Sequence, residues 1–324
     1  MSAVQAGASD ASQATNSSAA EYVQARGVSL TQREFGVVVC TRNRPEHVRE
    51  TVDALQRQQP DDFRIVVVDQ SDEADEGLMA RAALDSRLTV IRDSGRGLSR
   101  SRNIGWREMD TEWIAYFDDD CSALEGWVAA FARAVRQHPE TSFIVGNVEG
   151  TNTEPGGLNV SVFSVEQESV ISGRWVSPRK IGFGVNFAVR RSAIEELGGW
   201  DERLGVGTSI PAGEDLDFNY RLLRSGKIAF VTPEIRSMHR QWREDKDLAP
   251  LHGDYMEGKC AFAVKHLLAG DILGGLLNWS GGVKWILYGL KCALSDRSLL
   301  GVQICAHQTW GLIVGTTKGM MQTW

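Results

Sequence analysis

Two clusters of carboxylates dominate the chemistry this chain can do. Asp118-Asp119-Asp120 follow directly on the apolar run Trp113-Ile114-Ala115-Tyr116-Phe117, and Glu214-Asp215-Leu216-Asp217 follow a stretch with glycines at 205, 207 and 213. Three adjacent ionised carboxylates repel one another, and partial burial pushes at least one toward protonation unless a counter-charge is present. A divalent cation removes that conflict, and oxygen ligands shared with substrate phosphates favour Mg²⁺ or Mn²⁺. Asp118 and Asp120 alternate, so on an extended chain both point the same way. A solvated acidic turn ahead of a helix N-terminus is the competing reading of these residues. In the second cluster Phe218 and Leu222 share a helical face, which puts the acids in a first turn. There the helix dipole alone would reward each by roughly 0.3 to 1 kcal/mol. The basic counterpart lies between Arg92 and Asn103, with arginines at 92, 96, 100 and 102 and glycines at 95 and 97. Glycine lets backbone N–H groups approach a phosphate, and the arginine fork pairs with its oxygens. Neither the dinucleotide fingerprint nor a P-loop is present, because a third glycine and a Gly-Lys-Ser/Thr are missing.

The elements that must position these groups are legible as strand, loop, helix repeated. Phe35 to Cys40, Phe63 to Val68, Leu88 to Ile91 and Trp113 to Phe117 are near-continuous apolar runs, as expected of parallel strands buried on both faces. Pro45 opens a helix carrying Val48, Val52 and Leu55, a helical piece covers Leu78 to Leu84, and Leu124, Trp127, Val128, Phe131 and Val135 form one helical face. Asp69 and Asp118 therefore stand at the carboxyl ends of strands, where open α/β sheets bind ligands. Beyond Val148, Glu149 to Pro178 reads as a loop or edge-strand region. A strand is expected over Gly182 to Val189, a short helix from Arg190 to Gly198, a movable glycine-rich loop, the acidic helix, and a strand from Lys227 leading through Pro233 to His239.

Composition bounds the rest. The chain has 324 residues, 42% of them hydrophobic, and a net charge of −7, which argues against a nucleic-acid partner. Mean hydropathy is −0.23. Five widely spaced cysteines without a CxxC pair point to a reducing cytoplasm rather than a disulfide framework or zinc site. Residues 1–33 read as a disordered Ala/Ser/Gln-rich tail without the features of a signal peptide.

Taken in order, Val37-Val38-Val39-Cys40-Thr41-Arg42-Asn43-Arg44-Pro45, Val66-Val67-Val68-Asp69, Arg100-Ser101-Arg102-Asn103-Ile104-Gly105, Phe117-Asp118-Asp119-Asp120, Gly198-Gly199-Trp200-Asp201-Glu202 and Gly213-Glu214-Asp215-Leu216-Asp217-Phe218 resemble the family 2 glycosyltransferases. The resemblance covers about Phe35 to Arg243. It implies the GT-A fold, a Rossmann-like, mostly parallel sheet with helices on both faces. Residues 34–245 would form the glycosyltransferase domain, divided into a nucleotide-binding half over 34–121 and an acceptor half over 122–245. The implied activity is inverting transfer of a sugar from a nucleoside diphosphate sugar to a hydroxyl. By the family's motifs, Thr41 and Arg44 contact the nucleotide. Asp69 hydrogen-bonds the base, which favours a UDP- or dTDP-sugar, although Gln70 stands where many relatives carry Asp or Asn. Arg92, Arg100 and Asn103 contact ribose or diphosphate. Asp118 and Asp119 belong to the donor site. Asp120, with Asp118 and His239, holds Mn²⁺ or Mg²⁺, Asp215 is the general base, and Glu214 orients the acceptor or tunes the base. A non-catalytic nucleotide- or glycan-binding member of the same fold is the alternative.

The last segment differs. Residues 246–324 read as a helical extension, and 265–324 carries five Lys or Arg against two Asp, a balance of +3, with four of the ten tryptophans. Basic amphipathic helices with marginal tryptophans suit a membrane interface. The same faces would equally suit packing on the catalytic domain or on a second subunit. A membrane surface would imply a lipid-linked acceptor, polysaccharide or glycolipid assembly, and a place on the inner face of the membrane. Otherwise the acceptor is a glycan of open identity.

Overall fold

The computed structural model describes residues 30–151, 158–159, 162–240 and 242–324. Most of the expected tail thus lies outside the described residues. Ordered packing begins ahead of the expected boundary, because Leu30 is buried in the main core and the Glu34 and Phe35 amides donate to the Thr31 carbonyl.

Strands β1 (Phe35–Thr41), β2 (Arg64–Asp69), β3 (Leu88–Arg92) and β4 (Trp113–Asp118) run parallel in the order β3-β2-β1-β4. Helices α1 (Pro45–Gln56), α2 (Glu76–Leu84) and α3 (Leu98–Glu108) make the crossovers. Successive side chains of a strand point to opposite faces, and here both faces are cores. Val37, Val39, Ile65, Val67, Trp113, Ala115 and Phe117 pack with Val48, Val52 and Leu55 of α1 and with Phe131 of α4 (Trp127–Gln137). Val38, Val66, Val68, Ile114 and Tyr116 pack with Trp106 of α3, Ile194 of α5 (Arg191–Leu197), and Phe218 and Leu222 of α6 (Glu214–Arg224). Burial on both faces is the reason these strands are apolar without alternation.

The sheet continues through β5 (Cys121–Ala123), β6 (Phe143–Gly150), β9 (Phe187–Arg190) and β10 (Ala229–His239), with β8 (Ser169–Ile171) on its edge. β9 inserts antiparallel between β4 and β6, while β10 is parallel to β6 and antiparallel to β5 and β8. A small second ladder pairs β7 (Leu158–Asn159) with β11 (Trp242–Arg243). The expected strand from Gly182 begins only at Phe187. Gly182, Gly184 and Asn186 all have positive φ, and buried Asn186 donates to the Asn147 and Ile235 carbonyls and accepts from Trp127 Nε1 instead of extending the ladder. The architecture is an α/β sheet with a parallel core covered by helices on both faces, followed by three further helices.

Those helices are α7 (Asp245–Leu268), α8 (Ile272–Ser295) and α9 (Leu299–Met321). Asp217 is the clamp between α7 and the core. Its fully buried carboxylate accepts from Arg221 at 2.8 Å, Lys265 at 2.7 Å and His266 at 2.9 Å. Burial alone would raise its pKa, but these cations hold it far below the ordinary carboxylate range. It is therefore more than one of three dipole-stabilising acids in a first turn. α9 packs on α7 through glycine: a Cβ at Gly311 would lie 2.2 Å from the Gly253 carbonyl oxygen, and one at Gly315 2.2 Å from that of Glu257. Ile272, Leu273, Leu276 and Leu277 of α8 face outward and are exposed. Among the described residues, no helix is long and apolar enough to cross a membrane. Gly315→Ala should force the α7 and α9 backbones apart and destabilise the protein by roughly 1 to 3 kcal/mol, the usual penalty of overpacking. A lowered urea midpoint with an unchanged far-UV spectrum is the expected result; an unchanged midpoint would show that the helix pair is loose.

Candidate active site

The carboxyl ends of β1 and β4 open into a cleft of about 330 Å³. Thr41, Arg42, Asn43, Arg44, Gln70 and Asp118 to Asp120 line one side, and Gly97, Leu98, Val206 and Gly207 the other. A second hollow of about 400 Å³ adjoins it through Gln70 and is lined by Arg92, Asp93 and Arg96 among others. The loop carrying Val206 is pinned over the cleft, since the Leu98 amide donates to the Val206 carbonyl at 2.9 Å and Ser99 Oγ to that of Leu204 at 2.7 Å.

The three acids divide among three partners. β4 ends at Asp118, so Asp119 and Asp120 sit in the following turn rather than alternating along a strand. Asp119 accepts from Thr41 Oγ1 at 2.8 Å, and Arg44 Nη1 donates to both Asp119 at 3.1 Å and Asp120 at 3.2 Å. His239 Nε2, at the end of β10, faces Asp120 Oδ1 at 3.1 Å. Burial raises the Asp120 carboxyl, but His239 and Arg44 more than offset this and hold it below the ordinary range. Burial pushes Asp118 up to about 6, with Asp120 and Asp119 adding to the rise and Arg102 opposing it. Asp119 is likewise raised by burial against the pull of Arg44 and Thr41.

Arg102 links this cleft to the second acid cluster. Its side chain is buried, Nη2 donates to the Gly184 carbonyl at 2.7 Å, and the guanidinium lies 3.9 Å from Asp118 and 3.5 Å from Glu214. Glu214 is buried beside it, and burial together with the neighbouring Asp215 charge pushes its carboxyl to about 7. Asp215 is half-buried, accepts from the Leu216 amide at 2.7 Å, and is raised by burial against the pull of Arg102, that amide and Arg179. Two acids separated by almost one hundred residues of chain thus meet across one guanidinium. From the sequence Arg102 is only one of several basic residues in the 92–103 stretch, and Arg100 is the expected donor contact. The signal that distinguishes them is helical phase: Ser99, Arg102, Asn103 and Trp106 form the buried face of α3, and Arg100 lies off it.

Asp69, Arg92, Arg100 and Asn103 are each engaged by groups of the protein itself. Asp69 and Arg92 are register partners on adjacent parallel strands, so Arg92 Nη1 donates to Asp69 Oδ2 at 2.5 Å while the Ser71 amide takes Oδ1. Asp69 is buried and lines neither hollow, leaving Gln70 as the residue that faces both. Arg92 borders the second hollow, but its fork is engaged by Asp69 and the Ser71 and Glu73 carbonyls. Arg100 binds Asp93 with two hydrogen bonds of 2.9 and 3.0 Å. Asn103 is buried away from the cleft, where its amide donates to the Trp200 carbonyl and Glu202 and accepts from the Trp200 amide. Thr41, Arg44, Asp118, Asp119 and Asp120 do meet in the cleft, with His239 behind Asp120.

The donor set fits a hard divalent cation in part. The raised Asp118 and Asp119 carboxyls show that Arg44 and Arg102 do not neutralise the cluster fully. Among the described residues the group with metal-ligand spacing is Asp120, Cys121 and His239, without Asp118. Asp118 lies outside that group, with the Arg102 guanidinium 3.9 Å away. Burial raises the Cys121 thiol well above its ordinary range, so it stays protonated and is an unsuitable ligand for Mg²⁺ or Mn²⁺.

Comparison with known proteins agrees with this arrangement. The family model described as glycosyl transferase family 2 matches residues 36–198, half of the chain. An uncharacterized glycosyltransferase of Haemophilus influenzae is 24% identical over 191 residues, which is 59% of this chain and 62% of that protein. The pre-mycofactocin glycosyltransferase of Mycobacterium tuberculosis is 25% identical over 295 residues, 85% of this chain and 56% of that protein. The chain spans less than two thirds of the length of either relative. Among solved structures, residues 1–349 of S. aureus TarS in complex with UDP-GlcNAc match with a TM-score of 0.56 at 18% identity, covering 72% of this chain and 66% of that one. That likeness is one of fold. With strand-end acids, cleft and family match all within the same half of the chain, this protein belongs to the family 2 glycosyltransferases.

Proposed function

We propose that the protein transfers a sugar from a UDP- or dTDP-sugar to a hydroxyl acceptor, with inversion and with a divalent metal. The observation that carries this reading is the buried Arg102 guanidinium between Asp118 and Glu214, which makes one site of the donor cleft and the acid pair. Residues 34–121 form the nucleotide-binding half, 122–245 the acceptor half and 246–324 the helical extension.

In this reading the diphosphate lies in the cleft near Arg44 and the N-terminus of α3, whose dipole favours anions. UDP-GlcNAc and UDP have both been seen on the TarS fold, which supports a uridine donor here. Gln70 is placed to meet the base, since Asp69 is occupied by Arg92. Asp120 and His239 are the residues that would hold Mn²⁺ or Mg²⁺, and such an ion supplies charge stabilisation to a departing diphosphate. Asp215 takes the proton of the acceptor hydroxyl as its oxygen forms a bond to the anomeric carbon. The bond from that carbon to the diphosphate oxygen breaks in the same step. Burial raises the Asp215 carboxyl, and a raised carboxyl is a stronger base than an ordinary one. Glu214, packed on Arg102, sets the local charge rather than meeting the acceptor. The outward apolar side chains of α8 support contact with a membrane surface and, through it, a lipid-linked acceptor in polysaccharide or glycolipid assembly.

Asp215→Asn should lower turnover by roughly 10²- to 10⁴-fold while leaving nucleotide binding intact; full activity would remove Asp215 as the base. In a thermal-shift panel, UDP or dTDP with Mn²⁺ should raise the melting temperature where GDP and ADP do not, and Asp120→Ala should abolish the metal-dependent part. Nucleotide binding without any transfer by the wild type would instead favour the non-catalytic alternative. Glu214 rises from an ordinary 4.5 to about 7, so the folded state retains a proton that the unfolded chain releases. Its stabilising contribution is complete below pH 4.5 and is lost as pH rises through about 7. Glu214→Gln should therefore gain stability over the wild type between about pH 5 and about pH 8, by on the order of a few kcal/mol. Urea midpoints at the two pH values measure this, and an equal difference at both would mean that Glu214 is ionised throughout.

A further inference from the structure

Two cations beside the acid pair have no role in donor binding. Arg179 lies in the 3-10 turn Pro178–Ile181, which α6 holds in place because Asn219 Nδ2 donates to the Gly182 carbonyl at 3.0 Å and the Pro178 carbonyl at 3.4 Å. Its guanidinium covers the Trp285 ring of α8 at 4.6 Å and is near enough to Asp215 for the two charges to act on each other. Lys259 comes from α7 at the point where that helix touches the acid turn. A Cβ at Gly213 would lie 2.7 Å from the Gly258 carbonyl oxygen, so Lys259 follows the residue that abuts the start of α6. Gly281 and Gly282 of α8 leave room around it, with Lys259 Nζ 3.4 Å from a Cβ placed at Gly281. Among the described residues, neither Arg179 nor Lys259 has a carboxylate within the 4.0 Å of an ion pair. The cost shows in Lys259, whose ammonium is pulled down to about 8 by burial and by the charge of Arg179.

We propose that Arg179 and Lys259 form an anion subsite on the acceptor side of Asp215, and that the acceptor, taking the glycosyl-transfer reading as given, presents a phosphate group there. A neutral sugar would leave the exposed Arg179 and the partly buried Lys259 without an ion-pair partner among the described residues. A doubly charged phosphate matches them in number and in chemistry. The guanidinium over the Trp285 ring can still offer N–H groups to two phosphate oxygens, and the ammonium supplies a point charge. The subsite lies between α7 and α8, so the phosphate would enter from the side of the outward apolar helix. A lipid phosphate and a soluble sugar phosphate share this chemistry.

The test uses the full chain saturated with UDP, so that the donor cleft is filled, and titrates inorganic phosphate against the melting temperature. Phosphate should raise the wild-type value by roughly 3 °C or more. The rise should vanish in Lys259→Gln and Arg179→Gln and persist in Lys259→Arg. The UDP-induced shift, unchanged in all three variants, shows that they are folded and that the donor site is separate. No response of the wild type to phosphate, or an equal response in the glutamine variants, overturns the subsite. Absence of the UDP shift in every protein would overturn the glycosyl-transfer reading instead, and the phosphate response of the variants would still decide the subsite. Flotation with phosphatidylcholine vesicles, with and without phosphatidic acid, distinguishes the two sources. Lysine-dependent flotation only with phosphatidic acid identifies a lipid phosphate. A phosphate shift without flotation identifies a soluble one.

Discussion

The structure depends on one buried charge. Arg102 lies under the carboxyl end of the sheet with Asp118 on one side and Glu214 on the other, and it also donates to the neutral Gly184 carbonyl. An arginine so placed is costly to desolvate, and it is tolerable only because several acids share its field. Conversely the acids tolerate one another only because it is there. The position of α3, the turn after β4, the start of α6 and the 182–186 segment are all constrained by the need to meet that guanidinium. Asn103, one residue on, ties the same helix to the Trp200 loop, so positioning and catalysis share a single helical face.

Around this centre, charge decreases in graded steps. Asp120 is held low by His239 and Arg44, whereas Asp118 is raised to about 6 and Glu214 to about 7. Carboxylates of different proton affinity thus crowd around one cation, the low Asp120 beside the raised Asp118 and the raised Glu214 across from both. Sites that need acid and base roles at one pH divide carboxylates in this manner. The unpaired Arg179 and Lys259 continue the sequence outward with the opposite sign.

The helical extension is part of this arrangement rather than an appendage. Asp217 stands two residues after Asp215 and binds Lys265 and His266 of α7, so any shift of α7 is transmitted to the acid turn. Glycines at 213, 258, 311 and 315 let backbones approach where a side chain would collide. Close packing of this kind gives the acid turn a fixed position relative to α7 and α9.

The strands, their parallel order, the helices and the two acid clusters were legible in the sequence. Hydrophobic periodicity and strand-end acids are local patterns, and burial on both faces writes them without interruption into β1, β2 and β4. The family resemblance extended that reading to roles for single residues. What the sequence could not determine is which charge meets which. Asp69 looked like a ligand for a base, and only the β2 and β3 register gave it to Arg92. Asp118 and Asp120 looked like one alternating pair, and the turn after Asp118 sent them to different partners. Arg100 and Arg102 looked alike, and only the rotation of α3 against the sheet buried one and exposed the other. Pairing of charges is decided by distances of a few ångströms between elements far apart in the chain, and that information exists only once the elements have packed.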